Sequence, residues 1–141
     1  MINIVVIDGQ GGGVGKSLVE QIKRAVPQAK VIAVGSNAAA TSNMLKAGAD
    51  AGATGENAVL YNCRYADIVT GPIGIVLANS MLGEITGAMA CAVSDCDAKK
   101  ILIPASKCPV SIVGIQEKPL GKYIEEAVSM MKDYVKQVDR T

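Results

Sequence analysis

The feature that most constrains this chain is a cluster of glycines set between an apolar β-branched run and an amphipathic helix. Asn3–Ile7 is a continuous run of the kind expected of a strand buried on both faces. Asp8-Gly9-Gln10-Gly11-Gly12-Gly13-Val14-Gly15-Lys16-Ser17 follows it, and then Leu18, Ile22 and Ala25–Val26 recur at helical spacing until Pro27. A helix start leaves main-chain N–H groups unpaired, and the helix dipole is positive there. Glycines let the chain turn sharply and let a phosphate approach without meeting a Cβ. This order of strand, turn and helix predicts a nucleotide-phosphate site over Gly9, Gln10, Gly11, Gly12, Gly13, Val14, Gly15, Lys16 and Ser17.

The rest of the chain repeats the strand-then-helix alternation, which predicts a Rossmann-like α/β/α sandwich with a mostly parallel sheet of about five strands. Lys30–Val34 reads as the second strand, stopped by Gly35. Residues 39–48 read as a short helix, 49–55 as Ala/Gly-rich coil or a weak strand, and Glu56–Cys63 as another helical piece. Thr54 is a candidate cap for that piece. Asp67–Val69 opens a strand that ends in Thr70-Gly71-Pro72, and a long helix is expected from Val76 to Ser94. Its Gly83, Gly87, Ala88, Ala90 and Ala92 suit close packing on the sheet or, second, a contact between two copies of the chain. Lys100–Ile103 and Val110–Val113 read as two further strands. Pro119 opens a last helix with Leu120, Ile124, Ala127–Val128, Met131, Tyr134–Val135 and Val138 along its apolar stripe.

At 141 residues the chain suits a single domain, 1–141, large enough to need no metal or disulfide staple. The net charge of +1 supplies no basic field for nucleic acid, and the absence of Phe and Trp leaves few base-stacking platforms. The Ile68–Val93 stretch carries one charge, Glu84, but Pro72, Asn79, Ser80 and other polar residues break it, so a buried strand-turn-helix is expected rather than a membrane span. The opening residues lack a basic region and cleavage site, so a cytoplasmic location is expected, with the four cysteines as thiols acting as small hydrophobes. No metal site is expected, because the chain has no histidine and no C-x-x-C pair.

Three templates compete for the turn. The dinucleotide fingerprint G-x-G-x-x-G and the phosphate-loop pattern G-x-x-x-x-G-K-[ST] both call for glycine where Gln10 stands. Gly12-Gly13-Val14-Gly15-Lys16-Ser17 nonetheless resembles the variant loop of partition-type ATPases, which makes ATP the alternative ligand. The G-x-x-x-G-x-G turn of short-chain dehydrogenases is met in full by Gly9, Gly13 and Gly15. The resemblance ends there, since no tyrosine is followed four residues on by the lysine that family uses. Against an ATPase, no later strand ends in the acid that would hold Mg²⁺.

An acid at the end of the second strand would accept from a ribose 2′-OH. Gly35-Ser36-Asn37 offers none, and Ser36 or Asn37 could donate to a 2′-phosphate, so the ligand expected is NADP. Thr70, Gly71 and Pro72 should share the same sheet edge, where their backbone could meet a base or nicotinamide ring. Glu84 reads either as a buried carboxylate with acid–base capacity or as one facing solvent or a partner.

Over its full length the chain resembles a family of short Rossmann-like proteins of anaerobic clostridia and their relatives, a domain of unknown function. The resemblance is carried by Ile4–Gly15, Ala66-Asp67-Ile68-Val69-Thr70-Gly71-Pro72 and Lys100-Ile101-Leu102-Ile103-Pro104. It implies the fold and the site, and no activity. Three readings follow: a dinucleotide-binding protein, a non-enzymatic nucleotide sensor working as a homo-oligomer, and a nucleoside-triphosphate enzyme. The missing histidine and the missing tyrosine–lysine pair favour binding over chemistry.

Overall fold

The computed structural model describes residues 1–104 and 109–139. A five-stranded, all-parallel sheet runs in the order β3-β2-β1-β4-β5. Its strands are β1 (Asn3–Asp8), β2 (Lys30–Gly35), β3 (Ala51–Thr54), β4 (Ile68–Pro72) and β5 (Lys99–Ile103). The helices are α1 (Gly13–Ala25), α2 (Ala38–Lys46), α3 (Glu56–Cys63), α4 (Gly87–Asp95) and α5 (Leu120–Asp139).

Alternation along each strand splits the core in two. Ile4, Val6 and Ile68 point to the face covered by Leu18, Val19 and Ile22 of α1, Met44 of α2, and Ile124, Val128 and Met131 of α5. Val5, Ile7 and Val69 point to the other face, under Val59 of α3 and Met89 and Val93 of α4. Helices on both faces of a parallel sheet make the three-layer sandwich that the sequence implies. The chain winds outward from β1 through β2 to β3, then crosses back to place β4 on the other side of β1. The order therefore reverses between β1 and β4, the place at whose carboxyl edge open parallel sheets bind their ligands.

Three expectations need correction. Val76–Ser94 is not one helix: a 3-10 turn at Ile73–Val76 leads into a run of turns, and α4 begins only at Gly87, capped by Thr86, whose hydroxyl accepts from Met89 N–H. Asn79, Met81, Leu82 and Gly83 all have positive φ, which a helix forbids. Val110–Val113 is an exposed irregular segment rather than a strand, and β3 supplies the fifth strand from the ambiguous 49–55 stretch. Thr54 does not cap α3. Gly55 holds that position at φ 101°, and the Thr54 hydroxyl pairs with the Thr41 hydroxyl.

Cys63 is buried, Cys96 partly so and Cys91 exposed, and all three are free thiols. Burial pushes the Cys63 thiol up to about 12, which makes it inert packing, whereas Cys91 departs from the expected burial. Cys108, like residues 105–107 before it, lies outside the described residues. No described helix is long and apolar enough to cross a membrane.

Candidate functional site

The glycine turn leaves β1 at Asp8 and enters α1 at Gly13, so it sits at the point where the strand order reverses. Gln10, the residue that broke two templates, has φ 49°, and Gly12 caps α1 at φ 70°. The backbone thus takes the left-handed bend that those templates reserve for glycine, at a cost of about 1–2 kcal/mol for a residue with a Cβ.

Much of the turn's N–H capacity is used internally, which leaves fewer free donors than the whole Gly9–Ser17 stretch would offer. Gly9 N–H donates to Asp8 Oδ1 at 2.8 Å and Gly15 N–H to Asp8 Oδ2 at 2.7 Å. Gly12 N–H bonds to Gly9 C=O, and Lys16 N–H to Gly12 C=O. Gln10 N–H reaches Glu84 Oε1 at 2.9 Å. Gly11 and Gly13 remain. Neither N–H meets an acceptor among the described residues, and a Cβ built on either glycine would meet nothing within 4 Å. Both are exposed, as is Lys16, while Ser17 and Val14 are half-buried in the first turn of α1.

Asp8 gave no signal in the sequence beyond ending the first strand, yet it holds the turn together from beneath. It is 4% exposed. Burial raises its carboxyl above the ordinary value, the N–H groups of Gly15 and Gly9 oppose that rise, and the Glu84 charge adds to it. Gly15 is required behind it, because a Cβ there would lie 2.5 Å from Met44 Sδ and 2.9 Å from Asp8 Cβ.

Ser36 and Asn37 sit at the carboxyl end of β2, where the sequence places them, but their donors are committed. Ser36 Oγ and Asn37 Nδ2 each donate to Glu84 Oε1 at 2.7 Å. Asn37 also caps α2 by accepting from Ala40 N–H, and that bond fixes which end of its amide faces Glu84. The expected donation to a 2′-phosphate therefore meets a carboxylate already in place. Glu84 lies in the turns before α4, half-buried, and not within a helix. The Ser36 hydroxyl, then Gln10 N–H and the Asn37 amide, hold its carboxyl below the ordinary range, so it is ionised at neutral pH. Neither sequence reading of Glu84 foresaw these partners.

Thr70, Gly71 and Pro72 lie within β4 and are buried, so they line the strand end rather than an open loop. Gly71, at φ 153°, packs so close to β1 that a Cβ would stand 2.1 Å from Ile7 C=O. Thr70 is fully buried, and its hydroxyl has no hydrogen-bond partner among the described residues. Glu56 turns toward the start of α4, where its carboxylate accepts from the Thr86 hydroxyl. No group of His, Cys, Asp and Glu among the described residues could hold a metal ion.

The chain belongs to the family described as a domain of unknown function (DUF3842), whose model matches residues 3–136. None of the curated proteins compared matches it. Among solved structures it is similar to a dodecameric FMN-dependent UbiX-like decarboxylase from Escherichia coli O157:H7. The identity is 19%, over 93% of this chain and 76% of that one, with a TM-score of 0.49.

Proposed function

We propose that this member of the DUF3842 family binds a nucleotide, seating its phosphates on the open face of the turn at Gly11 and Gly13. The observation that carries the reading is the free pair of N–H groups at the start of α1, at the reversal point of the sheet. The dipole of α1 favours an anion there, and Lys16 in the first turn adds a positive charge. Asp8 preorganises the turn, because both its oxygens are held by main-chain N–H groups.

Within the class, a dinucleotide is favoured over a triphosphate. Gly9, Gly13 and Gly15 fit the dehydrogenase-type turn without mismatch. β2, β3, β4 and β5 end in Gly35, Thr54, Pro72 and Ile103, so none offers an acid for Mg²⁺.

Titration of the full chain with NADH, NADPH and ATP by calorimetry tests the reading, with Gly13→Val beside it. A Cβ at 13 enters open space, so the variant should fold. Its isopropyl group would cover the anion seat and should weaken binding at least ~10-fold, about 1.4 kcal/mol. A Gly13→Val protein that binds as well as the parent overturns the site, and a parent that binds none of the three overturns the function.

A further inference from the structure

We infer that Glu84 is the acid that reads the ribose of the bound nucleotide, delivered to the end of β2 by the connection between β4 and α4. The inference rests on the nucleotide reading above and specifies its ligand: a nucleotide whose ribose 2′-OH is free, not phosphorylated.

In parallel sheets that bind dinucleotides, the residue accepting from the ribose 2′-OH sits at the carboxyl end of the second strand. Gly35-Ser36-Asn37 supplies no carboxylate there, and Glu84 arrives from elsewhere in the chain to stand at that place. Three donors converge on its Oε1: Ser36 Oγ, Asn37 Nδ2 and Gln10 N–H. They fix the orientation of the group. Its Oε2 bonds to no described residue, which leaves that oxygen for the hydroxyl of a ligand. The arrangement also links the two parts of the site, because Gln10 belongs to the phosphate turn and Ser36 to the strand end.

Two further observations show the carboxylate to be held in position by its surroundings. A Cβ at Gly9 would lie 2.5 Å from Ser36 Oγ, 2.7 Å from Met81 Sδ and 3.1 Å from Glu84 Oε1, so a side chain there would push the cluster apart. The connection that carries Glu84 holds Asn79, Met81 and Leu82 at φ 66°, 57° and 56°. Such conformations persist in residues with a Cβ only where surrounding contacts enforce them, and they concentrate at functional sites. A 2′-phosphate would set like charges against each other at this place, whereas a hydroxyl would find an ionised acceptor.

The test is calorimetric titration of the full chain and of Glu84→Gln with ADP-ribose, 2′-phospho-ADP-ribose, ADP and 2′-deoxy-ADP. A hydrogen bond to a charged group predicts that the parent prefers ADP-ribose over its 2′-phosphate, and ADP over its deoxy form, each by ~10-fold or more. Glutamine keeps an oxygen for the three donors and removes the charge. Both ratios should fall to within about threefold. If Glu84→Gln does not fold, Glu84→Asp draws the carboxylate back by one methylene and should lower both ratios in the same direction. Equal or tighter binding of the 2′-phosphate by the parent, or ratios unchanged in a folded variant, overturns the assignment and leaves nucleotide binding standing. A parent that binds none of the four ligands overturns the nucleotide reading and this inference together.

Discussion

Replacing Thr70 by valine should make the protein more stable. Thr70 aligns with Val6 of β1 and Ile101 of β5, and both neighbours belong to the core face beneath α1 and α5. It has no solvent exposure, and its Oγ1 meets no hydrogen-bond partner among the described residues. Leaving such a group unpaired costs about 1–3 kcal/mol by mutational measures. Valine has nearly the same shape and replaces the hydroxyl with a methyl that the surrounding core accepts. The unfolding entropy of about 2.1 cal/mol/K per residue, over 141 residues, is about 0.3 kcal/mol/K. The gain should then raise the melting temperature by about 3–10 °C, read by circular dichroism at neutral pH. Thr70→Ser is the control: it keeps the hydroxyl and removes a buried methyl, so it should cost about 0.8 kcal/mol or more. A Thr70→Val protein that melts at or below the parental temperature would refute the reasoning, because the hydroxyl would then have a partner worth as much as its burial costs.

Two other outcomes follow from the same corner. Gly71→Ala forces a Cβ to within 2.1 Å of Ile7 C=O on the adjoining strand, so β1 and β4 must part, and urea unfolding should show a loss of about 3 kcal/mol or more. Asp8 has its carboxyl raised by burial above the value of 3.8 expected in the unfolded chain. Between those two values the folded form binds more protons, so protonation of Asp8 stabilises the fold as pH falls through that window. Asp8→Asn removes this contribution, and its stability should fall more steeply than the parent's on acidification from neutrality toward pH ~4. Parallel pH profiles from urea midpoints would contradict it.

How much of this was legible depends on whether a feature is local. β1, the glycine turn and α1 follow one another directly, so periodicity and turn chemistry located them, although α1 begins at Gly13, inside the glycine run, and ends at Ala25, before Pro27. α5 carries its apolar stripe over many turns and was equally plain. β3 was not, because Ala51-Gly52-Ala53-Thr54 has no strand composition and exists by pairing Ala51 with Ile32 and Thr54 with Gly35 of β2. Val110–Val113 shows the reverse: it is β-branched but remains exposed and pairs with no described strand. The missed break between Val76 and Gly87 lies in the left-handed backbone at Asn79, Met81 and Leu82, where only Gly83 hints at the turn. The position of the glycine turn between β1 and α1 was legible, but its hydrogen bonds to Asp8 and Glu84 were not. Hydrogen bonds from Ser36 and Asn37 to Glu84 span 48 and 47 positions, a distance that no local pattern encodes.

The bond between Gln10 and Glu84 joins residues 74 positions apart. Closing so long a loop adds little entropy cost per further residue, yet contacts of this span are slow to find during folding. β1, the turn and α1 can assemble from neighbouring sequence, whereas the donors at Gln10, Ser36 and Asn37 gain their shared acceptor only after β4 has docked. This contact should therefore be among the last to mature on refolding, after the elements around β1 have assembled.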